Sequence, residues 1–272
     1  MTKKNKVVVI FSGYNDRAII SFLRTLERNN VEYAIISKNN QDMIYQTKYS
    51  SHVIHERESK EVTIELFSFI YKKLKKRYNY FLIAPSTEFI NRFIIKNRTI
   101  LTDFRFEVPL TNHALYKKIS DKYKFTKLCR RYRIETPKDF DKTSELSYPF
   151  VAKPVSYKSK KTGEIHTPII INNKKEEDNF INSHEENDFY YQEYIFGKSI
   201  YLLFYIDKKN LTHKYSQENL IQQPKGGSIL LARHSDHHSK KISSTYEKML
   251  ISEGFTGFVM IELKGDNENL VM

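Results

Sequence analysis

The sequence predicts two successive parts, a parallel α/β layer followed by an α+β part with mostly antiparallel strands. In the first part, apolar β-branched runs alternate with helical repeats, which is typical of βαβ units. From about residue 113 onward, strand-like segments follow one another with few helices between them. The 272 residues are enough to bury two cores without disulfide bonds.

The first part begins with a βαβ unit. Residues 6–12, KVVVIFS, read as a buried strand that ends in a turn at Gly13. The helix that follows has an apolar stripe formed by Ile19, Phe22, Leu23 and Leu26. A second strand begins at Val31. A helix at 62–77, a strand at 80–84 and a helix around 89–94 continue the pattern, with right-handed crossovers expected.

The pattern changes near residue 112. Ser120 is expected to cap a helix with the apolar stripe Phe125, Leu128, Cys129 and Tyr132. Short helices are predicted around 174–182 and 240–252. Strands are predicted at 149–154, 167–172, 188–195, 199–207, 227–233 and 254–263.

Composition and charge exclude several classes of protein. The single cysteine, Cys129, rules out an internal disulfide and favours a reducing, cytoplasmic location. The start of the chain does not read as a signal peptide, and no apolar run is long enough to span a membrane. A net charge of +13 favours anionic partners. Neither GxGxxG nor the Walker phosphate loop is present.

Two lysines are candidate phosphate ligands. Lys153 ends an apolar strand just before a polar loop, where a buried ammonium needs an anionic partner unless it reaches water. Lys122 lies in the first turn of a helix, where the helix dipole disfavours a cation. A phosphate bound at that helix terminus would relieve the mismatch.

Two further segments are candidates for binding the rest of a nucleotide. Glu193 and Ile195 end a strand just before Gly197, an edge that can offer backbone groups to an adenine ring unless it is a plain hairpin corner. Glu262 ends an apolar strand, where a carboxylate facing a cleft could hold Mg²⁺ between phosphates, or simply face solvent.

The segments that carry Lys122, Lys153, Glu193 and Glu262 follow one another along the chain in this order. Together they resemble the ATP-grasp superfamily, most closely its carbamoyl-phosphate-synthase-like branch of ATP-dependent carboxylate ligases. The resemblance covers the chain from about residue 113 to the end. Residues 1–112, including APSTEFINRF, resemble the Rossmann-like lead domain that precedes the grasp in that superfamily. The resemblance to the ATP-grasp superfamily implies a small subdomain at 113–185 and a large subdomain at 186–272, the latter incomplete at its C-terminus.

The resemblance also implies roles for individual residues, with ATP and Mg²⁺ as cofactors. Lys122 and Lys153 match the phosphate-contacting lysines, and Glu262 matches the first magnesium carboxylate. Arg233 is a looser match to the catalytic basic residue at the acyl-phosphate site. The hinge that reads adenine and ribose is matched by Gln192, Glu193, Tyr194 and Ile195.

Two departures from the family pattern stand out. The phosphate loop, VSYKSKKTGEIH, carries one glycine and three lysines, Lys158, Lys160 and Lys161, where the family is generally glycine-rich. A Glu-x-Asn-type motif that completes the family's metal site is not found before Met272. Asp266, Asn267 and Glu268 are expected to form a hairpin turn instead.

The function implied is ligation through an acyl-phosphate intermediate, with ATP and a small carboxylate, such as an amino acid or a peptide, as substrates. Two alternatives stay open: a relative that binds nucleotide without turnover, and a basic protein that binds nucleic acid or an anionic surface. No membrane partner is expected and nucleic acid is disfavoured. Oligomeric state is open, a homo-oligomer included.

Overall fold

The computed structural model describes residues 4–58, 61–140, 143–155, 166–223, 229–266 and 269–272. The chain divides into two compact units, Met1–His113 and Ala114–Met272. Each unit has its own buried core.

The first unit is built on a five-stranded parallel sheet in the order β3-β2-β1-β4-β5. Its strands are β1 (Lys4–Phe11), β2 (Tyr33–Ser37), β3 (Val53–Glu56), β4 (Tyr78–Ala84) and β5 (Phe106–Glu107). Its helices are α1 (Asp16–Arg28), α2 (Ile64–Leu74), α3 (Glu88–Lys96) and α4 (Arg98–Asp103). The predicted parallel α/β layer is confirmed.

Strand β1 shows why the sheet needs covering on both faces. Val7, Val9 and Phe11 contribute to one buried cluster, whereas Val8 and Ile10 contribute to another. Because successive side chains point to opposite faces, a continuous apolar run makes both faces apolar. Helices α1, α2 and α3 start at side-chain caps provided by Asn15, Thr63 and Thr87.

The second unit contains two antiparallel sheets. The small sheet has the order β6-β9-β7-β8 and the large sheet has the order β12-β11-β10-β13-β14. The small-sheet strands are β6 (Asp139–Phe140), β7 (Phe150–Pro154), β8 (Ile169–Ile171) and β9 (Phe189–Glu193). The large-sheet strands are β10 (Lys198–Ile206), β11 (Thr212–Gln222), β12 (Ile229–His234), β13 (Gly257–Asp266) and β14 (Asn269–Val271).

The α-helices in the described residues from His113 onward are α5 (His113–Ser120), α6 (Lys122–Arg131), α7 (Lys174–Ser183) and α8 (Lys241–Ser252). On the large sheet, Leu202 and Phe204 of β10 are buried with Tyr246 and Met249 of α8. On the small sheet, the core face packs against Phe180 of α7. The predicted α+β character with antiparallel pairing is therefore confirmed.

One local prediction, the cap of the second helix in this unit, was wrong. Ser120 is the last residue of α5 and does not cap the next helix. Asp121 is the cap of α6, because its side chain accepts a hydrogen bond from the backbone N–H of Lys124 at 2.9 Å. Lys122 is nevertheless in the first turn of that helix, as predicted.

Strand β11 was not predicted at all. Its sequence, THKYSQENLIQ, is mostly polar and has a weak strand signal of its own. Its partner β10 pairs with it over eight residues, from Ser199↔Asn219 to Ile206↔Thr212. Tertiary pairing therefore determines this strand more than local propensity does.

The connection between β9 and β10 depends on Gly197. Its φ angle is +110°, a region that side chains disfavour, and a Cβ atom there would lie 2.5 Å from the carbonyl carbon of Gly265. The connection between the two sheets therefore passes close to the backbone of β13 at Gly265.

We predict that Gly197→Ala lowers the free energy of unfolding by about 2–5 kcal/mol, because backbone strain and overpacking add. Gly254→Ala is the matched control. Gly254 also has a positive φ, +72°, but no atom lies within 4 Å of its added Cβ. The control should lose only about 1–2 kcal/mol. Urea denaturation measures both, and equal losses would contradict the claimed contact.

Candidate functional site

A cavity of about 1420 Å³ lies within the second unit, lined by residues of both antiparallel sheets and of helices α6 and α7. The structure brings most of the predicted site residues to this cavity. Those that line it are Lys122, Lys153, Gln192, Glu193, Tyr194, Ile195 and Glu262. Arg233 is not among the lining residues.

Strand alternation directs one face of the small sheet into the cavity. Phe150, Ala152 and Tyr191 point to the buried core. Val151 lies opposite Gln192 in the ladder, and these side chains share the other face with Lys153. The same alternation that builds the core therefore aims a lysine and an amide into the cavity.

The Lys153 ammonium is held in an unfavourable environment. Burial is the largest cause that lowers its pKa to about 8. The neighbouring Lys122 and Lys264 cations also lower this pKa, whereas the nearby Asp139 and Glu262 carboxylates raise it. A bound anion would supply the missing negative charge.

Lys122 provides a second cation at the rim of the cavity. It is the first residue of α6, and its side chain is exposed. The N-terminus of a helix carries a partial positive charge and backbone donors, one of which, the Lys124 N–H, is already bonded to Asp121. Lysine and helix terminus together therefore favour a negatively charged group at this place.

Gln192 offers a fixed hydrogen-bond acceptor. The residue is 1% exposed, and its Nε2 donates to Asp139 Oδ1 at 2.7 Å. Asp139 Oδ2 is paired with Arg130 Nη1 at 2.6 Å. An ionised carboxylate only accepts, so the amide cannot flip without losing this bond. Its Oε1 is buried and has no partner among the described residues, so this acceptor needs a donor.

The segment after Gln192 forms the edge of the cavity. Glu193 exchanges two hydrogen bonds with Lys138: its Oε1 accepts from the Lys138 N–H at 2.9 Å, and its own N–H donates to the Lys138 carbonyl at 3.1 Å. The centroids of the Tyr194 and Phe196 rings are 4.8 Å apart. Tyr194 and Ile195 lie beyond the end of β9, and both line the cavity.

Glu262 faces the cavity from β13, opposite Tyr201 of β10. Its Oε1 accepts a hydrogen bond of 2.7 Å from Ser199 Oγ, which in turn accepts one of 2.9 Å from Asn219 Nδ2. Both supporting residues are buried. One carboxylate oxygen is thus held in place, and the other can bind a cation.

Arg233 lies apart from these residues. It is on β12, its side chain is 59% exposed, and its guanidinium pairs with Glu218 at 2.7 Å. Lys198 pairs with the same carboxylate at 2.9 Å. The geometry gives no support to the catalytic role predicted for Arg233, which stays a prediction.

Some predicted features fall outside the described residues. These are the loop lysines Lys158, Lys160 and Lys161, and the turn residues Asn267 and Glu268. The hairpin itself is confirmed, because Asp266 pairs with Asn269 across β13 and β14.

Sequence reasoning missed three contributors to the site: Ser199, Asn219 and Lys264. Ser199 and Asn219 are hydrogen-bonded through the pairing of β10 with β11, a strand that was not predicted. Lys264 could have been predicted from the sequence. It stands two residues after Glu262, so the two side chains must lie on the same face of the strand.

No protein-family model matches the sequence, and no curated protein matches it at a significant level. Solved structures do match. The biotin carboxylase domain of 2-oxoglutarate carboxylase from Hydrogenobacter thermophilus has 14% identity and a TM-score of 0.65, covering 100% of this chain and 63% of that one. N5-carboxyaminoimidazole ribonucleotide synthetase from Thermotoga maritima has 14% identity and a TM-score of 0.57, and the match covers 98% of this chain and 67% of that one.

N5-carboxyaminoimidazole synthetase from Staphylococcus aureus gives 12% identity and a TM-score of 0.63, covering 100% of this chain and 69% of that one. Biotin carboxylase and this synthetase are ATP-grasp ligases, so the predicted ATP-grasp fold is confirmed. The chain spans less than two thirds of the biotin carboxylase structures it matches. No helix in the described part of the chain is long and apolar enough to cross a membrane.

We predict that Lys153→Met stabilises the fold at pH 7. Below pH 8, Lys153 is charged in both states, because its pKa is about 8 in the folded protein and 10.5 in the unfolded chain. The folded protein must then bury a cation that the unfolded chain exposes to water, which lowers the free energy of unfolding. Between about pH 8 and 10.5 the unfolded state binds more protons, so this penalty on the wild type fades as pH rises. Thermal melts should show a higher Tm for the variant at pH 7, and a smaller gain at pH 10.

Lys209→Met is the control, since it removes the same charge from an exposed turn. It should change Tm little at either pH. A Lys153→Met variant that melts below the wild type at pH 7 would contradict the claim that the Lys153 ammonium destabilises the fold. An increase in Tm that is the same at pH 7 and pH 10 would also contradict this claim.

Proposed function

We propose that the chain binds ATP with Mg²⁺ in this cavity and acts as an ATP-dependent carboxylate ligase. The observation that carries the proposal is the convergence of Lys122, Lys153, Gln192 and Glu262 on one cavity between two antiparallel sheets. Enzymes with the same fold support it: the matched biotin carboxylase domain is in complex with MgADP and bicarbonate, and a matched N5-carboxyaminoimidazole ribonucleotide synthetase is an ADP complex.

The buried amide of Gln192 fits an adenine base. Its unpartnered Oε1 requires a donor, and the exocyclic amino group of adenine is one. Guanine presents a carbonyl oxygen at the corresponding position, which would leave two acceptors facing each other. Apolar residues that line the same cavity, among them Val151, Ile195 and Met260, suit the faces of the ring.

The polyphosphate would be bound by the lysines. Lys153 gains a counter-charge that offsets the burial of its ammonium, and Lys122 adds a second cation at the start of α6. Such charge-assisted hydrogen bonds are stronger than neutral ones. A phosphate group bound here would therefore offset the charge of both lysines.

The acidic side of the cavity fits a nucleotide-bound magnesium ion better than a free one. In the described residues, no group of three His, Cys, Asp or Glu side chains is placed to hold a metal. Mg²⁺ is usually held by one or two carboxylates together with substrate phosphates, so Glu262 alone can serve as the protein ligand. The ion would neutralise charge on the transferred phosphoryl group.

The proposed chemistry needs no protein nucleophile. A carboxylate oxygen of the substrate attacks the γ-phosphorus of ATP and ADP leaves, which gives an acyl phosphate. A nucleophile such as an amine then attacks the acyl carbon and inorganic phosphate leaves. The chain's part is to orient the reactants and neutralise charge, which is what lysines and a metal carboxylate do.

Finer assignments belong to the same proposal. We place the chain in the carbamoyl-phosphate-synthase-like branch, with residues 1–112 as a Rossmann-like lead domain, and we propose an amino acid, a peptide or another small metabolite as the carboxylate. The strand order of the first sheet, 3-2-1-4-5, supports the lead-domain assignment.

We predict that MgATP raises the Tm of the wild-type chain and that MgGTP does so much less. Lys153→Met should weaken ATP binding by about 10- to 100-fold, because it removes a charged phosphate partner. Lys209→Met should bind as the wild type does. Glu262→Gln should bind ATP in EDTA but lose the enhancement by magnesium. Isothermal titration measures each affinity.

The same preparations test turnover. Phosphate release from MgATP should require an added carboxylate and should be lost in Glu262→Gln. Salt-sensitive binding to an oligonucleotide, with no response to ATP, would instead support the basic-protein alternative.

A further inference from the structure

Lys264 is a third lysine of the cavity. It lies on β13 two residues after Glu262, so the two side chains share one face of the large sheet. The ladder places it opposite Ser199 of β10, beside the serine that holds Glu262. It is half-buried and lines the cavity.

The surroundings of Lys264 leave its charge poorly compensated. Its Nζ lies 5.4 Å from the centroid of the Tyr194 ring, a weak attraction at such a site. In the described residues no carboxylate lies within ion-pairing distance of this ammonium. Its charge instead acts on Lys153, whose pKa it lowers.

Three lysines therefore face one cavity. Lys122 and Lys153 face it from α6 and the small sheet, and Lys264 faces it from the large sheet. Three carboxylates also line the cavity, and each already accepts a hydrogen bond: Glu176 from Asn172, Glu193 from Lys138 and Glu262 from Ser199. Like charges that face one cavity from both walls repel one another, and an anion bound between them is attracted by all three.

We propose that Lys264 is a third phosphate-binding lysine, which contacts the nucleotide polyphosphate from the large-sheet wall while Lys122 and Lys153 contact it from the opposite wall. This rests on the proposed nucleotide function, since the polyphosphate is the strongly anionic part of that ligand. Lys264 is then a binding residue for the phosphates, and its contribution is absent for a ligand without them.

The test compares ligands with and without phosphates. Lys264→Met keeps an unbranched apolar stem and should weaken MgATP and ADP binding about 5- to 20-fold in isothermal titration, as expected for one charge-assisted contact. Binding of adenosine, followed by NMR titration, should change less than twofold. Lys264→Arg keeps the charge and should restore most of the affinity for ATP. Lys209→Met is the charge-matched control and should bind ATP as the wild type does.

The outcomes distinguish a failure of this inference from a failure of the proposed nucleotide-binding function. If the wild-type chain does not bind MgATP, the proposed function fails. If the wild type binds but Lys264→Met binds ATP equally well, or loses ATP and adenosine to the same extent, Lys264 has no phosphate contact and the inference is overturned. Thermal unfolding of each variant checks that both sheets remain folded. If Lys264→Met does not fold, Lys264→Gln, which is also uncharged, takes its place in the same comparison of ATP with adenosine.

Discussion

The site depends on one electrostatic constraint, an ammonium group held in a partly desolvated cavity beside other ammonium groups. Lys153 is placed there by the alternation of β7, whose other face supplies Phe150 and Ala152 to the core. A strand that must bury one face has no freedom to turn the lysine away. The fold therefore maintains an unsatisfied cation, and anion binding is the event that stabilises it.

The large sheet forms the opposing wall and adds a carboxylate whose geometry is fixed. Asn219 donates to Ser199 and Ser199 donates to Glu262, so three strands, β11, β10 and β13, together orient one side chain. Gln192 is fixed in the same way by Asp139 and Arg130. Buried polar chains of this kind preorganise a site, because the donors and acceptors are set before a ligand arrives.

Much of the fold was accessible from the sequence, because apolar runs and helical repeats reported which faces needed burial. The strands that carry Lys153, Glu193 and Glu262 were all predicted, and their residues meet at one cavity. What failed depended on long-range pairing. The polar strand β11 is specified by β10, and with it the hydrogen-bond chain behind Glu262. Arg233 was assigned from resemblance alone, and its pairing with Glu218 could not be read from sequence spacing.

Proton uptake on nucleotide binding tests the central claim most directly. Near pH 8 the Lys153 amine is about half protonated in the free protein, and a bound phosphate should return it to the charged form. Titration of MgATP in buffers of different ionisation enthalpy should then show uptake of about half a proton per site. The uptake should fall away at pH 6.5 and in Lys153→Met. Binding of ATP with no proton uptake at pH 8 would contradict the account, because the lysine would not be the group that the nucleotide neutralises.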